Sequence, residues 1–278
     1  MKKNYKLLAT DLDGTLFYPK RPRSLISRKN KKFLKKFMDE GNKVVLVTGR
    51  SPAYTKNVFE VLGQEVDVIG MNGAYTIVDG QIRDEHFLDF PIEKMLYDLN
   101  ALFPILGTML ISQKYPLLIS TPPIGKFIQF FYNVYYFLQG RYAEDYHFSN
   151  EEFIAEIESK HVYKLMIFFG MSRSGVKRAA RANQYLREHY PHQFEASWTG
   201  GFIEITPVGV SKANGIKKYA AEKNIPEENI NVVGDSGNDI SMFKAFYEHS
   251  FCMKHSHKNV KKYAKTIIRR FHHLEKYI

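Results

Sequence analysis

The 278-residue sequence predicts an α/β protein, a parallel sheet covered on both faces in three α/β/α layers, with an α+β unit inserted into it. Short continuous apolar runs recur at 7–10, 44–47, 66–69, 203–205 and 230–233. Helix patterns such as 27–40, 53–62 and 211–223 lie between several of them. Strands that are apolar at consecutive positions are buried on both faces, the situation of a parallel sheet flanked by helices. The stretch 84–199 breaks this rhythm with a different mixture of helices and strands, so it reads as an insertion. The expected division is a core domain of 1–83 and 200–278, with the chain returning to its sheet near Gly201, and an inserted domain of 84–199.

In chain order, the run 7–10 leads into Asp11-Leu12-Asp13-Gly14-Thr15, two carboxylates and a glycine turn at the end of a strand. The run 44–47 leads into Thr48-Gly49-Arg50-Ser51, and 66–69 is soon followed by Asn72-Gly73-Ala74. Asp79-Gly80 between 75–78 and 81–83 is a hairpin signal. The insert offers helix patterns at 92–102, 125–138, 149–159 and 174–188, and strands at 117–120, 162–169 and 193–197. Within 125–138, Phe127, Phe130, Phe131, Val134, Tyr135 and Leu138 follow helical spacing, which predicts insert core with a dimer contact ahead of an aromatic substrate pocket. Lys212 opens the pattern 211–223, and the run 230–233 enters Gly234-Asp235-Ser236-Gly237-Asn238-Asp239. Ligands of parallel sheets gather at the carboxyl ends of the strands, which would bring Asp11, Thr48, Asn72 and Asp235 to one edge.

The totals exclude several classes. One cysteine, Cys252, rules out an internal disulfide and reads as a small buried hydrophobe between Phe251 and Met253. The apolar run after Met1-Lys2-Lys3 is too short for a signal peptide and is broken by Asp11 and Asp13. The greasy region 102–138 is interrupted by prolines and lysines before it reaches the roughly 18 to 20 apolar residues of a membrane span, so a cytoplasmic protein without membrane contact is expected. The net charge of +11 concentrates at the ends, with 12 Lys and Arg against 2 acids in 1–36 and 8 against 1 in 254–278. No recognised nucleic-acid motif accompanies that charge, which argues for solvated helix faces or attraction of anionic metabolites over specific nucleic-acid binding. His255, His257, His272 and His273 sit among lysines and are expected to be exposed surface histidines.

Asp11 and Asp13 are two positions apart at a strand end and so share a face. Two such acids repel unless a cation or a shared proton compensates. A phosphate ester bound through a divalent metal supplies that cation, and one carboxylate can then attack phosphorus. Thr48 offers a hydroxyl and Gly49 backbone amides of the kind that hold phosphoryl oxygens. A lysine at a helix start, as Lys212 is expected to be, opposes the helix dipole unless it points at an anion. Two acids and an amide in the glycine loop 234–239 suit a hard cation with oxygen ligands.

Taken in this order, the four segments resemble the haloacid dehalogenase-like hydrolase superfamily, closest to its Cof-type phosphatases. Asn72-Gly73-Ala74 is typical of that branch. The resemblance implies a Rossmann-like core with an inserted α+β cap that sets substrate specificity. It implies Asp11 as the nucleophile that forms an aspartyl-phosphate. Asp13 would be the acid that protonates the leaving alcohol and then the base that activates water. Asp11, the carbonyl of Asp13 and Asp235 would bind Mg²⁺, with Asp239 supporting them from behind. Thr48 and Lys212 would hold the phosphoryl oxygens, with Asn238 near Lys212 and the phosphate. Gly49, Arg50 and Asn72 would line the mouth. An acid two residues after the nucleophile suits an alkoxide leaving group, which wants a proton, rather than a halide, which does not.

The expectation is therefore a Mg²⁺-dependent phosphatase of a small phosphorylated metabolite, such as a sugar phosphate or a phosphorylated cofactor, acting as monomer or homodimer. Two alternatives stand beside it. One is a non-catalytic regulatory or nucleic-acid-binding protein using the basic ends. The other is a phosphotransferase or mutase that passes the group to an acceptor other than water.

Overall fold

The computed structural model describes residues 5–20, 24–120, 134, 137–138 and 143–278. The chain forms two compact units, one of Met1–Glu85 with Ser211–Ile278, the other of His86–Val210.

The first unit opens with β1 (Leu7–Thr10), buried at every position. The helix α1 (Arg28–Asp39) follows, its first turn capped by the Ser27 hydroxyl, which accepts from the Asn30 amide. Its apolar Phe33, Leu34 and Phe37 face inward and its lysines outward, the division expected of an amphipathic surface helix. Next come β2 (Lys43–Val47) and α2 (Pro52–Leu62), which Ser51 caps and proline starts. After β3 (Asp67–Gly70), the hairpin of β4 (Tyr75–Val78) and β5 (Gln81–Arg83) turns through Asp79 and Gly80. Both turn residues have positive φ, 52° and 75°, as a tight two-residue hairpin requires.

The second unit contains α3 (Ile92–Leu102), β6 (Gly107–Ser112), β7 (Leu118–Ser120), β8 (His147–Phe148), α4 (Asn150–Glu158), β9 (Val162–Phe168), α5 (Arg173–His189), β10 (Glu195–Thr199) and β11 (Phe202–Thr206). Its six strands form one sheet in the order β10-β11-β9-β6-β7-β8, antiparallel except between β7 and β8. One face of that sheet packs Leu110, Leu165, Ile167, Ile203 and Ile205 against Met95 and Leu99 of α3 and Ala182 and Leu186 of α5. The helix expected at 125–138, with its aromatic stripe, lies outside the described residues apart from Val134, Phe137 and Leu138.

The first unit then resumes with α6 (Lys212–Glu222), β12 (Ile230–Gly234), α7 (Ile240–Ala245), β13 (Ser250–Met253), α8 (Lys258–Lys261) and β14 (Thr266–Ile268). Its sheet runs β14-β13-β12-β1-β2-β3-β4-β5. The pairings from β14 to β3 are parallel, whereas β4 and β5 add an antiparallel edge. The fold is thus an α/β parallel-sheet core with a mixed edge. Its interior on one face includes Ala9, Val45, Val47, Ile69, Val232 and Met242.

One expectation is corrected. The run 203–205 is not a strand of the parallel sheet, and the first unit resumes at Ser211, not near residue 200. The reason is visible in Phe202–Thr206, where burial alternates from one residue to the next. Alternation marks a strand with one covered face, as in the antiparallel sheet that β11 joins, whereas strands inside the parallel sheet are buried throughout. No helix among the described residues is long and apolar enough to cross a membrane.

Candidate active site

β1 pairs in parallel with both β2 and β12, and its last residue, Thr10, lies opposite Leu46 and Val233. The Asp11 amide donates to the Val233 carbonyl at 3.0 Å. That register sets the end of β1 beside the end of β12 and brings Asp11 to the loop that carries Asp235 and Asp239. Carboxylate oxygens of these three residues lie within 4.8 Å of one another. The backbone after Asp11 turns sharply through Gly14, whose φ of +79° is in the left-handed region. A Cβ there would lie 2.3 Å from Asp235 Oδ2, so only glycine lets the two loops approach this closely.

A buried lysine reaches this cluster. Lys212 is the first residue of α6, its side chain fully buried, and its Nζ donates to Asp11 Oδ1 and Asp239 Oδ1, each at 2.6 Å. Burial by itself would push the Lys212 ammonium down, but the carboxylates of Asp11 and Asp239 outweigh it and hold the group above its ordinary pKa. With one ammonium among three carboxylates, negative charge remains in excess. Burial raises the Asp11 carboxyl well above the usual carboxylate range; Lys212 pulls it back, while Asp239 and Asp235 push it further up. The Asp235 carboxyl is also raised, by burial first and by Asp239 next.

The three acids are not equivalent. Asp239 Oδ2 accepts from the amides of Asp235 and Ser236, each at 2.8 Å, while its Oδ1 faces Lys212. Both oxygens are therefore committed to shaping the loop and holding the lysine. Asp235 Oδ1 accepts from Thr15 Oγ1 at 3.1 Å. Asp11 Oδ2 is buried and finds no hydrogen-bond partner among the described residues. Such an oxygen is costly to bury unless something binds it. Two carboxylates crowded by a third, with an orphaned oxygen between them, fit a hard divalent cation.

The remaining expected residues fall into two groups. Asp13 is gripped by Arg50, Nε to Oδ2 at 2.7 Å and Nη2 to Oδ1 at 2.9 Å. This fork-to-fork geometry is the strong form of the carboxylate–guanidinium pair. Arg50 also lies over the ring of Tyr54, 4.4 Å from its centroid. Thr48 is buried, and its Oγ1 accepts from the Arg50 amide at 3.1 Å. Its carbonyl accepts from the amide of Asn72, which adopts a φ of 58°. The Asn72 Oδ1 then accepts from Asn238 Nδ2 at 3.1 Å, and a Cβ on Gly49 would come within 3.3 Å of that same oxygen. Asn238 was expected near Lys212. Its carboxamide hydrogen-bonds Asn72 and the Ser236 hydroxyl, while the Lys212 ammonium is held by Asp11 and Asp239.

Two residues carry more than the sequence reading gave them. Thr15 anchors Asp235, and His255, expected as a plain surface histidine, stands with Nε2 3.5 Å from Asp235 Oδ2 while stacking on Tyr18. The signal available for His255 was its place just beyond the carboxyl end of β13, on the edge where the other strand ends converge. His272 and His273 are also less exposed than expected, since the C-terminal segment packs on α1 and His272 Nδ1 meets Asn30 Oδ1 at 3.1 Å.

The family model described as haloacid dehalogenase-like hydrolase matches residues 8–272, nearly the whole chain. The chain belongs to the haloacid dehalogenase-like hydrolases. Among relatives, it is 27% identical over 260 residues to a 5-amino-6-(5-phospho-D-ribitylamino)uracil phosphatase of Bacillus subtilis, covering 86% of this chain and 84% of that protein. It is 28% identical over 260 residues to the phosphatase YwpJ of the same organism, covering 86% of each. Among solved structures, the phosphatase BT1666 of Bacteroides thetaiotaomicron superimposes with a TM-score of 0.72 at 23% identity, over 95% of this chain and 89% of that one. That structural likeness concerns the fold, and the haloacid dehalogenase-like assignment rests on the family match.

Proposed function

We propose that the chain is a Mg²⁺-dependent phosphatase that hydrolyses phosphate monoesters of small metabolites, such as a sugar phosphate or a phosphorylated cofactor, through an aspartyl-phosphate on Asp11. The observation that carries this reading is the unpartnered Asp11 Oδ2, held at a fixed place because its sister oxygen is bound to Lys212. The names of the Bacillus phosphatases support the same class of reaction.

Asp11 and Asp235, with the main-chain carbonyl of Asp13, would hold the divalent ion, and Asp239 would keep Asp235 and Lys212 in place. When bound, the ion supplies positive charge beside the phosphoryl group. Asp11 attacks phosphorus, and the bond to the ester oxygen breaks. Asp13 delivers a proton to the departing alkoxide, then takes one from the water that attacks the aspartyl-phosphate and releases inorganic phosphate. Lys212 keeps the nucleophile's surroundings near neutral as the phosphoryl oxygens arrive. Thr48, Gly49, Asn72 and Asn238 form the donor-rich rim beside it. Arg50 orients Asp13 through its two guanidinium hydrogen bonds. The inserted unit is the candidate carrier of substrate selectivity.

The test is phosphate release from an aryl phosphate with Mg²⁺, expected to vanish with a chelator and in Asp11→Asn. A folded protein without metal-dependent turnover on a broad panel of phosphomonoesters would overturn the proposal. Product that appears only when an acceptor alcohol is added would make it a transferase instead.

A further inference from the structure

We propose that the first unit carries a second anion site, a basic cavity that binds a pyrophosphate-type group, either free or at the end of a nucleoside di- or triphosphate. The cavity measures about 530 Å³ and shares no residue with the carboxylate cluster. Arg28, Lys29, Arg269, Arg270, His272 and His273 line it, and among the described residues no carboxylate does.

Two segments make it. The first turn of α1 supplies Arg28 and Lys29, together with their main-chain amides, which have no partner inside the helix. The C-terminal segment Phe271–Lys276 packs on α1 and brings Arg269, Arg270 and both histidines opposite. Asn30 rivets the two together. It is buried, its Nδ2 donates to the carbonyls of Leu16 and Tyr18, and its Oδ1 is left to accept from His272. That assignment puts a proton on His272 Nδ1.

Among the described residues no ion pair engages Arg28, Lys29, Arg269 or Arg270. The acid nearest in sequence, Glu275, is taken by Lys36 at 2.7 Å. Burial, then His273, Lys29 and Arg270, hold the His272 imidazole below its ordinary pKa, and burial with Lys276, Arg269, Arg270 and Lys29 does the same to His273. Four permanent cations lining one concavity, Arg270 among them lying over the Tyr18 ring, match the charge of a di- or triphosphate better than that of a single phosphate. The volume likewise exceeds what one phosphate fills. An extended nucleic-acid strand would want a stripe of cations with interleaved aromatics, whereas these cations line one concavity.

The experiment is calorimetric titration of the full chain, metal-free, with pyrophosphate, orthophosphate and a nucleoside triphosphate in separate arms at near-physiological salt. The expected result is saturable binding of pyrophosphate at one site, at least about tenfold tighter than orthophosphate, with downfield shifts of the His272 ring protons as the anion draws a second proton to the imidazole. The nucleoside triphosphate arm separates the two sources: tighter binding than pyrophosphate assigns the site to the nucleotide, equal or weaker binding to the free anion. Lys29→Ser with Arg269→Ser, both at exposed positions, should weaken pyrophosphate binding at least about tenfold and leave aryl phosphate hydrolysis unchanged. Undiminished binding in that variant, or no saturable binding by the wild type, would overturn the proposal. So would salt-sensitive binding of single-stranded RNA without any binding of pyrophosphate.

Discussion

Replacing Lys212 by methionine isolates the charge balance on which the site depends. The ammonium is fully buried and lies 2.6 Å from an oxygen of each of two buried carboxylates, so methionine fills most of its volume while removing the charge. Breaking a buried ion pair from one side costs about 3–5 kcal/mol, because the remaining charge has neither solvent nor partner. The loss should depend on pH in a definite direction. In the wild type, the raised lysine pKa means that its stabilisation is fully present at every pH below the ordinary lysine value, so its own titration contributes nothing near neutrality. In the variant, the Asp11 carboxyl loses the cation that lowered its pKa and rises further. A carboxyl raised in the folded state favours folding at low pH and opposes it as pH climbs through its folded value. The deficit should therefore be largest at neutral and alkaline pH and narrow toward acid. Trp198, the sole tryptophan, sits in β10 of the second unit, so intrinsic fluorescence follows the wrong part of the chain. Amide exchange along α6 and β1 under urea reports the first unit directly. A deficit below about 1 kcal/mol at pH 7, or one independent of pH, would refute the charge-balance argument.

Three further outcomes rest on the same geometry. Gly14→Ala places a Cβ where Asp235 Oδ2 stands and forces a left-handed φ on alanine, so it should abolish turnover and weaken divalent binding while circular dichroism shows a folded chain. Because the Asp11 and Asp235 carboxyls are raised, each holds a proton more tightly than usual and must shed it to bind metal. Divalent affinity should rise with pH, and calorimetry in two buffers of different ionisation heat should register proton release; identical heats would contradict it. Arg50→Lys keeps the charge but cannot reproduce the two-pronged grip on Asp13, so kcat should fall by about tenfold or more with little change in stability, measured by steady-state kinetics beside thermal melting.

Much of this arrangement could be read from the chain before any coordinate. Asp11, Thr48, Asn72 and Asp235 come directly or shortly after apolar runs, and a parallel sheet gathers the residues at its carboxyl strand ends on one edge. Lys212 was legible as a lysine placed against the helix dipole. Ile203 and Ile205 misled because an alternating pair of isoleucines looks like a short apolar run unless the intervening Glu204 is weighed, and only the pairing partner decides which sheet takes it. Strand β6, Gly107–Ser112, escaped notice because threonine and glycine at its start dilute the apolar signal. The division of labour among Asp11, Asp235 and Asp239 came from the family resemblance and not from spacing, since it depends on which oxygens the loop amides claim. His255 was out of reach, because its part comes from stacking on Tyr18, a residue far away in sequence.

The pairing of β1 has a bearing on how the protein is made. This strand is sandwiched between β2, synthesised soon after it, and β12, synthesised only after the whole second unit. Until then, one side of a strand buried at every position has no neighbour, the condition in which nascent sheets stick to one another. Asp11 likewise waits for Lys212, so a polypeptide halted before α6 would hold its carboxylate without that counter-charge. The site assembles only after translation has passed β12.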